Sequence, residues 1–173
     1  MYKIGNYEFE NFKYRPGHRA NYGILTKPGN EWGMKYSPTY SYDREYEVLK
    51  NFSHPQIPKR YESGTGRGEL YEDEKLVLKE YYIVLQNFEG EDLVEHYKQN
   101  GIPDANEMEN VIKYITSTAE PLHYLHSKGY VHADIKPGHL ILNPDSGVIG
   151  LIDLELAIKE GELIKGLTVE YAS

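Results

Sequence analysis

A chain of 173 residues without cysteine is long enough for one ordinary domain or for two small lobes sharing a cleft, and it can form neither disulfides nor thiolate metal centres. Acidic residues (27) outnumber Lys and Arg (19), the formal charge is −8, and no basic block interrupts the excess, which excludes a nucleic-acid partner. No apolar run approaches the roughly 20 residues that cross a bilayer; Met1 to Gly5 opens a polar, aromatic stretch rather than a signal core, so the chain reads as soluble and cytoplasmic, with no membrane partner.

In chain order, residues 5 to 36 alternate polar, aromatic and glycine positions without helical periodicity, the pattern of a twisted antiparallel meander. Lys27-Pro28-Gly29-Asn30 supplies a turn within it. Tyr42, Glu45, Leu49 and Phe52 recur at spacings of three and four and predict a short helix over 42–52, stopped by His54-Pro55. Strands are expected at Ile57–Tyr61 and Leu76–Phe88. Between them Gly64-Thr65-Gly66-Arg67-Gly68 does not precede a helix, so it reads as a flexible hairpin rather than a phosphate cradle.

Phe88-Glu89-Gly90 reads as a linker into a helical part. Pro103-Asp104 opens the longest helix, with Asp104 and Glu107 spaced as a capping box and Met108, Val111, Ile112, Ile115, Ala119, Leu122 and Leu125 as its apolar stripe. Pro121 should kink it and Gly129 ends it. Tyr130-Val131, Leu140–Leu142 and Val148–Ile152 are short strands.

The chemistry is concentrated in Val131-His132-Ala133-Asp134-Ile135-Lys136-Pro137-Gly138-His139-Leu140-Ile141-Leu142, followed by Leu151-Ile152-Asp153-Leu154-Glu155. Two aspartates on loops between short apolar strands, with a lysine two residues past the first, are parts that phosphoryl transfer from ATP requires. One carboxylate orients the attacking hydroxyl, a second holds magnesium, and a cation offsets charge on the γ-phosphoryl group. His123, His126 and His132 span a helix and a loop and read as packed side chains rather than metal ligands.

This stretch resembles the protein-kinase catalytic loop, His-Arg-Asp-Leu-Lys-Pro-x-Asn, and the Asp-Phe-Gly metal loop that follows it. The resemblance implies Asp134 as catalytic base, Lys136 as the γ-phosphate contact and Asp153 as the magnesium ligand, with His139 at the second metal position. Its Lys136 is of the serine/threonine type. Gly33-Met34-Lys35 is similar to the Ala-Ile-Lys strand, which makes Lys35 the α/β-phosphate lysine, with Glu45 on the following helix as its partner. Tyr82 to Phe88 is similar to the strand and hinge that hold adenine through backbone groups, with Leu85 as gatekeeper. Gly17, Gln86, Phe88 and Ile141 complete the nucleotide-binding set, and Gly166 to Ser173 resembles the end of an activation segment.

The implied fold is α+β and protein-kinase-like: an antiparallel β N-lobe with one helix and a hinge over 1–88, and a minimal, truncated helical C-lobe over 89–173. The implied cofactors are ATP and Mg, meeting Lys35 and Asp153 across a shared cleft. Four departures accompany the resemblance. The loop Pro16 to Gly23 has two glycines at unusual spacing. His139 replaces asparagine. Asp153-Leu154-Glu155 replaces Asp-Phe-Gly, and Ala133 replaces the catalytic-loop arginine. The chain also stops at Ser173, before the helices that dock peptides, which predicts an uncovered face on the 106–126 helix and self-association or a partner chain there. Three functions stay open: a minimal kinase acting on serine or threonine of a protein substrate, a pseudokinase that binds or regulates, and a small-molecule kinase.

Overall fold

The computed structural model describes residues 2–13, 21–27, 31–70, 76–101 and 103–163, and these divide into two compact units, each described by itself. Gly17, the turn at 28–30, the charged run at 72–75 and the 166–173 segment lie outside the described residues.

The first unit comprises residues up to Lys50 together with Lys59–Asn87. Its strands β1 (Tyr2–Ile4), β2 (Tyr7–Lys13), β3 (Asn21–Lys27), β4 (Trp32–Ser37), β5 (Arg60–Leu70) and β6 (Leu76–Gln86) form a closed antiparallel barrel in the order β1-β2-β3-β4-β6-β5. The meander is the expected one; its closure by β1 pairing to β5 is the addition. Strand alternation sends Met34 and Tyr36 of β4 into a core with Ile4, Leu25 and Val84, so Gly33 and Lys35 take the opposite face.

The Gly64–Gly68 stretch is not a hairpin. It runs inside β5, paired to β6 from Gly64↔Tyr82 to Gly68↔Leu78. The glycines serve close approach instead: a Cβ on Gly66 would sit 2.9 Å from Ile4 Cγ2, and one on Gly64 would press on the Tyr82 hydroxyl at 3.2 Å.

Helix α1 spans Asp43–Leu49, shorter than the spacing predicts, and it buries Glu45 and Leu49, four residues apart on one face. Phe52 falls outside the helix because its ring packs edge-on to Tyr130 at 5.0 Å, and that tertiary contact overrides the periodicity. Ile57 likewise lies in a turn before β5, its N–H donating to the His54 carbonyl at 3.1 Å.

The second unit comprises Asn51–Pro58 and the residues from Phe88 onward. A two-residue strand β7 (Glu91–Asp92) leads directly into helix α2 (Leu93–Asn100), which the apolar pattern does not reveal. Asp92 caps it, its Oδ1 accepting from the Val94 and Glu95 amides at 3.0 Å each. Helix α3 (Met108–Ser127) is preceded by the anticipated capping box: Glu107 N–H donates to Asp104 Oδ1 at 3.2 Å and Asp104 N–H to Glu107 Oε2 at 3.1 Å. Its packed face carries Thr118, Pro121 and Leu125, whereas Met108, Ile112 and Ile115 of the apolar stripe are more than half exposed. Short strands β8 (Tyr130–Val131), β9 (Leu140–Leu142), β10 (Ile149–Leu151) and β11 (Ile158–Lys159) follow, with β10-β9-β7 and β11-β8 as small antiparallel sheets.

Gln56 joins these pieces. Pro121 has no N–H, so the Ser117 carbonyl one turn back loses its helical donor. Gln56 Nε2 supplies a replacement, donating to Ser117 O at 2.8 Å and to Ile149 O at 2.8 Å, while the Leu151 N–H donates to the Gln56 carbonyl at 2.8 Å. The side chain is buried, which makes both carbonyls dependent on it. Gln56→Leu is expected to lower stability by about 2–3 kcal/mol, and Pro121→Ala in the same background should recover part of it by returning an N–H to Ser117. Denaturant melts check this; an unchanged midpoint in the single variant would show that the carbonyls find other donors.

Candidate functional site

In the first unit, Lys35 stands on the face of β4 opposite the barrel core, and Glu45 comes to it from the buried face of α1. The ammonium bonds both carboxylate oxygens at 2.8 Å, with Glu45 only 1% exposed. Burial of a charge is tolerated because its partner is this close. On β6, Ile83 and Leu85 lie directly across from Lys35 and Gly33, so Leu85 shares the lysine's face and is buried there. Gln86 closes β6 with its backbone N–H donating to the Lys59 carbonyl at 2.7 Å, and its Oε1 accepts from the Lys59 amide at 3.3 Å.

In the second unit, the β9–β10 hairpin decides the geometry. Leu140 pairs with Leu151, so His139, just before β9, and Asp153, just after β10, emerge at the same end. Pro137 begins a single 3-10 turn, Pro137–His139, that directs His139 inward to 7% exposure. Its Nδ1 lies 2.9 Å from the Asp134 carbonyl oxygen, a position from which an N–H can donate. Its Nε2 lies 3.1 Å from Asp153 Oδ2. One imidazole therefore touches both aspartates that the catalytic stretch singles out. Asp134 also accepts from Lys136 Nζ at 2.9 Å on Oδ2, a contact in which the carboxylate is 8% exposed.

His132 fixes the other side of the loop. Its Nε2 donates to the Ile152 carbonyl at 3.1 Å and its Nδ1 accepts from the Asp134 N–H at 3.3 Å. A single neutral tautomer satisfies both, and burial lowers its pKa to about 4, keeping it uncharged. Its ring thus links the Asp134 backbone amide to the Ile152 carbonyl. Two residues outside glycine hold left-handed backbone among the described residues, and both belong here: Ala133 at φ 65°, next to Asp134, and Asp153 at φ 67°. Such conformations cost energy and concentrate where geometry is functional. Leu154, after Asp153, is fully buried.

The remaining expected positions are accounted for individually. Phe88 packs its ring on Gly150 of β10, where a Cβ would approach it at 2.6 Å, and Ile141 lies directly across from Gly150 in β9. Sequence reasoning missed Gln56, Ala133 as a strained position, and Tyr22, whose hydroxyl donates to Asn87 Oδ1 at 2.9 Å.

Among the described residues no three His, Asp or Glu side chains converge as a metal cage. Asp153, 25% exposed, offers one carboxylate, which suits magnesium because phosphates and water normally complete its shell. His139 Nε2 offers a nitrogen that magnesium takes poorly.

A family model for the protein kinase domain matches residues 27–169, most of the chain and all of the positions just described except Tyr22. The chain belongs to the protein kinase domain family. Among its relatives, the serine/threonine-protein kinase cds1 of Schizosaccharomyces pombe is 29% identical over 107 residues, which is 62% of this chain and 20% of that protein. A probable serine/threonine-protein kinase, the MRK1 homolog of Encephalitozoon cuniculi, is 27% identical over 152 residues, 83% of this chain and 44% of that protein. The Aurora kinase of Candida glabrata is 31% identical over 134 residues, 75% of this chain and 33% of that protein. The chain thus spans less than half the length of these relatives. As a kinase-family chain its α+β architecture is the expected one, and among its described residues no helix is long and apolar enough to cross a membrane.

Proposed function

We propose that this chain binds ATP with magnesium and transfers the γ-phosphoryl group to a serine or threonine hydroxyl. The supporting observation is that Asp134, from before β9, and Asp153, from after β10, both meet His139 at one end of the hairpin, with Lys136 bonded to Asp134. In this reading Lys35, fixed by Glu45, takes the α/β-phosphates. Asp134 accepts the hydroxyl proton as the new O–P bond forms and the bond to the ADP oxygen breaks, and Lys136 offsets the charge on the transferred group. Asp153 holds the magnesium, which when bound neutralises phosphate charge.

A second reading is favoured by one contact. His139 Nε2 at 3.1 Å from Asp153 Oδ2 engages the carboxylate that the metal needs, as suits a pseudokinase that binds nucleotide weakly without turnover. Thermal-shift titration with ATP, with and without magnesium, tests the binding step common to both. At a hundredfold excess over Kd a single ligand stabilises by about 2.7 kcal/mol. The expected result is a magnesium-dependent shift that Asp153→Asn loses. No shift at millimolar ATP would end both readings.

A further inference from the structure

The face of the barrel that presents Lys35 is already covered over Gly33. Tyr22 on β3 stands directly across from Lys35, and Ile24 across from Gly33, so Tyr22 projects on the lysine's side of the sheet. Its ring lies back over Gly33: a Cβ there would overlap the phenol oxygen and the adjoining ring carbons. Only glycine allows the approach. The hydroxyl reaches on to Asn87, the residue following β6, and donates to its Oδ1 at 2.9 Å. Burial raises the phenol's pKa to about 12, with nearby Lys35 pulling the other way, so it remains a donor. The phenol therefore lies over the sheet at Gly33 and reaches the segment that follows β6, and buried Leu85 stands across from Gly33 on the next strand.

We propose that Tyr22 sets the nucleotide affinity of this chain by occupying ground that a purine needs, so that a base enters only by breaking the Tyr22–Asn87 bond and turning the ring off Gly33. This rests on the nucleotide-binding reading above, which takes phosphates to Lys35, and on the resemblance of Tyr82 to Phe88 to the strand and hinge that hold adenine. A state that must first surrender a part-buried hydrogen bond is a minor one, and apparent affinity falls with its population.

Isothermal titration with ATP and magnesium tests it on the full chain and on Tyr22→Phe, Asn87→Ala and Tyr22→Val, each first shown to be folded by its melt without nucleotide. Tyr22→Phe removes the bond and keeps the ring, Asn87→Ala removes the bond's acceptor, and both should tighten binding several-fold; Tyr22→Val removes the ring and should tighten it by about tenfold or more. Equal affinities across the series would overturn the proposal and leave ATP binding intact. Weaker binding by Tyr22→Val would overturn it too, since it would mean that the ring stacks on the base. If no protein of the series binds ATP, the nucleotide reading itself falls and takes this proposal with it. Tyr22→Phe retains the ring and the packing, so the test does not hang on the most disruptive variant.

Discussion

Lys35→Met is expected to destabilise the chain by about 3–5 kcal/mol in denaturant melts carried out without nucleotide. The size follows from where the charge sits. Glu45 is 1% exposed and receives the Lys35 ammonium on both oxygens at 2.8 Å. Removing the cation removes the nearest compensation for a carboxylate held away from water. An exposed pair would cost at most about 1 kcal/mol. The double variant Lys35→Met, Glu45→Leu separates the two possibilities, because an apolar pair of similar volume restores packing without a stranded charge. It should be more stable than the single variant. If the single variant loses under about 1 kcal/mol, the pair is a surface contact in solution and the α1 register is wrong.

That register was readable in the sequence because it depends on local rules. Strand alternation puts Lys35 opposite Met34 and Tyr36, and helical spacing puts Glu45 one turn before Leu49. Where the reading failed, the deciding partner lay far along the chain. Gly64 and Gly66 look like turn punctuation until Tyr82 and Ile4, which need their missing side chains, are placed beside them. Phe52 fits a helical face by spacing, yet Tyr130 holds it elsewhere. Helix α2 has few apolar positions, so no periodicity marks it, and its start is fixed by Asp92 accepting from the Val94 and Glu95 amides.

The site divides in the same way. Asp134, Lys136 and Asp153 are visible as a motif, because phosphoryl transfer fixes both the residue types and their order. What His139 does is not visible: a residue standing where asparagine is usual could have pointed anywhere, and only the β9–β10 register brings its ring between the two aspartates. Nor do left-handed Ala133 and Asp153 announce themselves, since neither is glycine. Gln56 has no local signal at all. Its role exists only because Pro121 leaves a carbonyl without a donor on a different element.

Asp134→Asn should lower the rate of phosphoryl transfer by about 10²–10⁴-fold while leaving folding and ATP affinity nearly unchanged. The loop around it is held by groups the substitution does not touch. The Asp134 N–H donates to His132 Nδ1, and the Asp134 carbonyl accepts from His139 Nδ1. An amide of the same shape can still accept from Lys136 through its oxygen, so the lysine keeps its place. What the amide cannot do is take a proton from an attacking hydroxyl. A labelled-phosphate assay on both proteins, beside ATP titrations, reads the difference directly. Turnover surviving in the variant would remove Asp134 from the base position. Absence of turnover in the unmodified chain, with ATP still bound, would select the pseudokinase and make the His139–Asp153 contact the first place to look for the cause.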